Sequence, residues 1–145
     1  MEMIPKKIDR RHAHRTQWAA QYAVASELCK RGYEVSFTMG NATPLADLMV
    51  VSPKFKQMFL VDVKGLYRPN PWVIKRKIAR AGLFYVLTFV PDDNANRFFV
   101  LKQTQVNTYI ESELRRLLRP NDYSMTGILW KQAENHENAW KVLPQ

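Results

Sequence analysis

An α/β domain is the fold this sequence predicts: a mixed β-sheet of about five strands flanked by helices. Three observations carry it. An apolar stripe at helical spacing begins near Arg15, short apolar or alternating runs follow between turn residues, and a second helical stripe comes after them. The length of 145 residues fits one core, and 46% hydrophobic residues are enough to fill it.

Within Arg15–Arg31, Trp18, Tyr22, Ala25 and Cys29 recur at helical spacing; Val24 and Leu28 widen the face, and Gly32 supplies the stop. Tyr33–Thr38 alternates as a strand. Gly40, Asn41 and Pro44 mark Met39–Pro44 as a loop. Leu45–Val51 (LADLMVV) is apolar except for Asp47, as expected of a buried strand. Ser52–Lys56 is a turn, and Met58–Lys64 is a third strand. Beyond Gly65 lies a loop with Pro69 and Pro71, then Trp72–Ala81, which reads as neither strand nor helix. Leu83–Val90 is a strongly apolar strand, and Arg97–Leu101 returns across the turn at Pro91–Asn96 as its hairpin partner. Thr104 is placed to cap a helix reaching about Leu118, with Val106, Ile110, Leu114 and Leu117 inward. Ile128, Leu129, Trp130, Trp140 and Leu143 are expected to dock the tail. Residues 1–15 read as a basic N-terminal arm, and 16–145 as a single domain.

Charge and composition narrow the function classes. The net charge is +9 and the isoelectric point about 9.9, which favours encounter with a polyanion. Six basic residues (Lys64, Arg68, Lys75, Arg76, Lys77 and Arg80) follow one another before the next acid, Asp92. A solvated charged face or a phosphate-holding surface would both look like this. The cluster Lys6, Lys7, Arg10, Arg11 and Arg15 reads equally as an arm on DNA or a loose tail. No run is apolar enough for a membrane span, and no apolar leader opens the chain. The single cysteine, Cys29, excludes an intrachain disulfide and gives a cytoplasmic profile. Phosphate loops, dinucleotide glycine fingerprints and cysteine zinc spacings are absent.

Asp47 is the anomaly among the strands. A carboxylate inside an apolar strand costs several kcal/mol unless paired or bound to a metal. Asp62 and Lys64, two apart on the next strand, project from one face. A hairpin of these two strands would bring Asp47 and Asp62 together as hard oxygen donors suited to Mg²⁺ or Mn²⁺. Lys64 beside them would orient a water and offset charge on a phosphate. Each feature alone is commonplace on a solvated strand; the combination spells phosphodiester hydrolysis.

These residues carry a resemblance. Gln21–Val35 (QYAVASELCKRGYEV), Pro44–Val50 (PLADLMV) and Val61–Lys64 (VDVK) are similar to the motifs of the PD-(D/E)XK nuclease superfamily, over roughly Gln21 to Phe99. The resemblance implies a restriction-endonuclease-like fold and a metal-dependent DNA endonuclease. Asp47 and Asp62 would be metal ligands together with the carbonyl of Val63, and Lys64 would be catalytic. It also implies DNA as partner and a homodimer, as in small Holliday-junction-resolvase-like members that act on branched DNA. Many relatives carry a glutamate where this chain has Gln21, seven residues before Leu28. Glutamine keeps a carbonyl but no charge, so one metal is expected rather than two. The alternative it prompts is a degenerate nuclease fold that binds nucleic acid without cutting it. Glu27, about 240° further round the helix, is on another face. Arg68, Lys75, Arg76, Lys77 and Arg80 are expected on phosphates. Trp72 is expected either to stack on a base or to anchor the core. His12, His14 and His136 are read as surface residues, Cys29 as packing, and Trp18, Trp130 and Trp140 as core.

Overall fold

A computed structural model of the chain describes residues 10–38, 46–118 and 126–145. The expected loop Met39–Pro44, the first nine residues and the side chain of His12 lie outside the described residues. The chain forms an α/β structure with a five-stranded mixed sheet flanked by helices.

Helix α1 (Arg10–Lys30) is followed by strands β1 (Glu34–Phe37), β2 (Leu48–Val51) and β3 (Met58–Leu66). Next come a short β4 (Trp72–Val73), then β5 (Leu83–Phe89), β6 (Arg97–Lys102) and helix α2 (Gln103–Arg116). A short β7 (Gly127–Ile128) pairs with β4, and α3 (Trp130–Ala133) and two 3₁₀ turns complete the chain. The large sheet has the order β1-β2-β3-β5-β6. Every neighbouring pair is antiparallel except β3 and β5. The parallel pair needs a crossover, which the long segment between Leu66 and Leu83 supplies.

Two cores sandwich the sheet. On one face Ala20, Val24 and Leu28 of α1 pack on Leu48, Val50, Val61, Val63 and Val86. On the other, Val106, Ile110 and Leu114 of α2 pack on Tyr85, Leu87, Phe99, Leu101 and Trp72. β3 alternates between them, as its period of two requires. Val61 and Val63 face α1, so Asp62 and Lys64 face the α2 side.

Several expectations are corrected here. α1 begins at Arg10, one turn and more before Arg15, and its buried stripe is Ala20–Val24–Leu28. Trp18, expected in the core, is 39% exposed, and Cys29 is exposed as well. The aromatic spacing was helical, but the smaller residues beside it meet the sheet because they let helix and strand backbones approach. α2 starts at Gln103 with Lys102 as its N-cap, not Thr104, and Leu117 is left 43% exposed. Gln105 Oε1 accepts from the Lys102 N–H at 2.9 Å, which closes the first turn without a hydroxyl cap. Trp140 is buried as expected, whereas Trp130 is only partly so.

Candidate active site

The site lies where β2 stops short of β3. Leu48 pairs with Val61, and the Asp47 N–H donates to the Val61 carbonyl at 3.0 Å; β3 then runs on past the last residue paired with β2. Backbone groups of a strand must find partners or lose about 1–3 kcal/mol each. Side chains provide them. Val63 N–H donates to Asp47 Oδ2 at 2.8 Å, Gln17 Nε2 donates to the Val63 carbonyl at 2.7 Å, and Gly65 N–H donates to Gln17 Oε1 at 3.2 Å. The amide of Gln17 thus fills the place of a strand neighbour. α1 comes this near because residue 65 is glycine: a Cβ there would sit 2.6 Å from Ala20 Cβ and 3.1 Å from the Thr16 carbonyl oxygen.

Asp47 therefore does not sit inside a strand, as expected, but at the bend that leads into β2. Gln21 Nε2 donates to its Oδ1 at 3.2 Å. Burial pushes the Asp47 carboxyl up to about 6; the Val63 N–H draws it back, and the adjoining Asp62 carboxylate raises it by charge and by hydrogen bonding. Asp62 is 3% exposed and lies between two ammonium groups, with Lys64 Nζ 3.3 Å from Oδ1 and Lys77 Nζ 2.7 Å from Oδ2. Beside Asp62 in the β3–β5 register is Tyr85, whose buried hydroxyl has no hydrogen-bond partner among the described residues and whose pKa is driven well up by burial and by the Asp62 charge.

No family model, curated protein or solved structure matches this chain.

Asp47, Asp62, Lys64, Gln21 and the Val63 peptide thus converge, as the sequence led us to expect. The basic run divides. Lys77 reaches Asp62, whereas Arg76 pairs with Glu111 at 2.8 Å and Arg68 lies over the Tyr67 ring at 5.1 Å. Lys75 and Arg80 are exposed. Trp72 is a correction to the base-stacking expectation: it is 1% exposed, packs on Phe99 and Trp130, and its indole N–H donates to the Thr88 carbonyl at 3.2 Å. It is core. Glu27 pairs with Lys30 and Arg31, away from the carboxylates. His136 accepts from or donates to the Tyr109 hydroxyl at 2.8 Å.

Sequence reasoning missed Gln17, Lys77 as an Asp62 partner, and Tyr85. Gln17 carried a signal, since it stands one helical turn before Gln21 and so shares its face. Lys77 carried none. Its segment is irregular and is held by α2: Asn107 Nδ2 donates to the Lys77 carbonyl at 3.2 Å, Gln103 Nε2 to the Ile78 carbonyl at 2.9 Å, and the Arg80 N–H to Gln103 Oε1 at 2.7 Å.

Among the described residues no group of three or more His, Cys, Asp or Glu side chains assembles. The donor set is two neighbouring carboxylates and neutral oxygens. Such a set fits a hard divalent cation, whose charge would oppose both the burial and the Asp62 charge that lift Asp47. Two clefts, each of about 280 Å³, lie elsewhere, one lined by Arg15, Thr16, Ala19, Val90 and Asp92 and the other by Thr104, Gln105, Thr108, Tyr109 and His136. No helix among the described residues is long and apolar enough to cross a membrane.

Proposed function

We propose that this protein is a metal-dependent nuclease of the PD-(D/E)XK type that hydrolyses phosphodiester bonds in DNA, with Mg²⁺ or Mn²⁺ as its cation. The observation that carries the reading is the gathering of Asp47 and Asp62 about the Val63 peptide, near enough for the charge of Asp62 to raise Asp47, with Lys64 paired to Asp62. Asp47, Asp62 and the carbonyl of Val63 would hold the cation, since a carbonyl that accepts one bond from Gln17 keeps a second lone pair. When bound, the cation supplies positive charge against the phosphate oxygens. Lys64 and Lys77 add charge where negative charge develops, and Lys64 orients the attacking water. A new P–O bond forms from that water as the bond to the leaving oxygen breaks; the water gives up its proton to solvent, and the leaving oxygen takes one up from solvent. Gln21 contributes a neutral amide where a third carboxylate would attract a second cation, which favours one metal. The exposed Cys29 suits a reducing, cytoplasmic setting, and a homodimer would let two copies cut two strands.

The decisive test is a cleavage panel of linear, nicked, branched and single-stranded DNA with Mg²⁺ or Mn²⁺, run beside Asp62→Ala. Cutting that the substitution abolishes while binding survives is the expected result. No cutting of any form with either cation would overturn the reading.

One observation favours a second reading. Gln17, Gln21 and Lys77 already engage Val63, Asp47 and Asp62, so these three groups have partners without a cation. A nuclease fold that binds nucleic acid without cutting it would look the same. Calorimetric titration with Mn²⁺ separates the two: a working site binds the ion and loses it in Asp47→Ala.

A further inference from the structure

Three aromatic rings on the α1 side form a ladder on the surface. Trp18 and Tyr22 are stacked, with centroids 5.8 Å apart and planes 29° from parallel, and Phe37 meets Tyr22 edge-on at 5.4 Å. They are 39%, 60% and 36% exposed, so large ring surfaces face water in contact with one another. At the outer end the Trp18 indole N–H donates to His14 Nε2 at 3.3 Å. Isolated exposed hydrophobics need no explanation, but a pre-stacked set invites one.

The ladder adjoins the carboxylate site along the chain. Trp18 and Tyr22 each follow a site glutamine, Gln17 and Gln21, by one residue. Phe37 lies opposite Leu48, and the next residue, Thr38, donates its N–H to the Asp47 carbonyl at 3.0 Å and its hydroxyl to the Ala46 carbonyl at 2.6 Å. The sequence of the helix is basic. From Arg10 to Ser26, α1 contains no acidic residue, while Arg10, Arg11 and Arg15 precede the first ring.

We infer that Trp18, Tyr22 and Phe37 are a stacking platform for unpaired nucleobases of the strand whose backbone lies at the Asp47–Asp62 site. This inference rests on the nuclease reading and narrows its substrate to nucleic acid with unstacked bases, because a base inside an intact duplex offers no free face. The choice of occupant follows from charge and shape. A partner surface that was merely apolar would gain nothing from the acid-free cationic helix, whereas a polyanion with flat rings uses both features.

The test reads binding in metal-free buffer containing chelator, by fluorescence anisotropy, with an oligothymidylate single strand and a duplex of mixed sequence as probes. Trp18→Ala and Tyr22→Ala should each weaken single-strand binding about 5- to 150-fold, the loss of one stacked base, while duplex binding shifts less than about 2-fold, since phosphate contacts remain. Trp18→Phe should recover most of the loss. Thermal unfolding checks that the exposed substitutions leave the fold intact. Equal losses on both probes, or none on the single strand, would overturn the proposal. So would sedimentation showing that the wild type is a dimer and Trp18→Ala a monomer, because a second copy would then cover the rings. The two readings fail separately: ladder-dependent single-strand binding without cleavage under Mg²⁺ or Mn²⁺ sinks only the nuclease, and cleavage indifferent to Trp18 and Tyr22 sinks only the platform.

Discussion

The two halves of β3 solve the same problem by different means. From Met58 to Val61 the strand faces β2, and a regular antiparallel ladder consumes its backbone groups. From Asp62 to Gly65, β2 has ended, and the amides and carbonyl on that side are taken by Asp47 and Gln17. The first half is satisfied backbone to backbone and carries no chemistry. The second is satisfied by side chains that are themselves polar, and they gather carboxylates, amides and ammonium groups at one place. A polar site inside an α/β core thus arises from an incomplete strand pairing, with α1 brought close enough to finish it.

Breaking the second half at its charge should have the largest effect. Asp62→Ala is expected to lower metal-dependent cleavage roughly 100- to 10,000-fold or more, with DNA affinity retained, as read by cleavage and binding assays side by side. Breaking the approach of α1 comes next. Gly65→Ala drives a Cβ into Ala20 and the Thr16 carbonyl and should cost about 1–3 kcal/mol, measured as a lower midpoint in thermal unfolding; a comparable alanine at an exposed loop position should not. Gln17→Ala leaves the Val63 carbonyl and the Gly65 N–H without their side-chain partner. A loss of about 1–2 kcal/mol is expected by denaturant titration, because water recovers part of the bonding.

The smallest effect sharpens the contrast because its sign is reversed. The Asp47 carboxyl is raised from 3.8 to about 6 in the folded protein. Its neutral form is therefore favoured by folding, so this contribution to stability is full below about pH 4 and is lost as the pH rises through about 6. Asp47→Asn should accordingly be more stable than the wild type at pH 7–8, by about 1 kcal/mol after solvent screening, and show no such gain at pH 4. Unfolding midpoints at the two pH values check this. An Asp47→Asn protein that is less stable than the wild type at neutral pH would show that the carboxylate is not under strain. In the ladder half, where no such charge is buried, Val50→Ala should simply destabilise at every pH, by about 1–3 kcal/mol.

Much of this was legible in the chain. Apolar runs located the strands because burial on both faces of a sheet demands them, and Asp47 stood out by violating that demand. Asp62 and Lys64 shared a face by simple alternation. The position of α1 was less legible: its aromatic residues marked the period but not the buried side, since what meets β3 is set by how closely Ala20 and Gly65 allow the backbones to approach. Trp72 was ambiguous for a related reason. A tryptophan amid prolines and basic residues looks exposed, yet β4 pairs with β7 from the far end of the chain and buries it between Phe99 and Trp130.

By itself, the sequence determined the order of elements, the alternation of β3 and the residue types able to hold a hard cation. These are local properties, fixed by the period of two in a strand and 3.6 in a helix. Only the tertiary structure decided that β2 stops at Leu48, that Gln17 completes β3, and that Lys77 meets Asp62. Each of these joins residues distant in the chain, and no local pattern encodes the distance between two packed backbones.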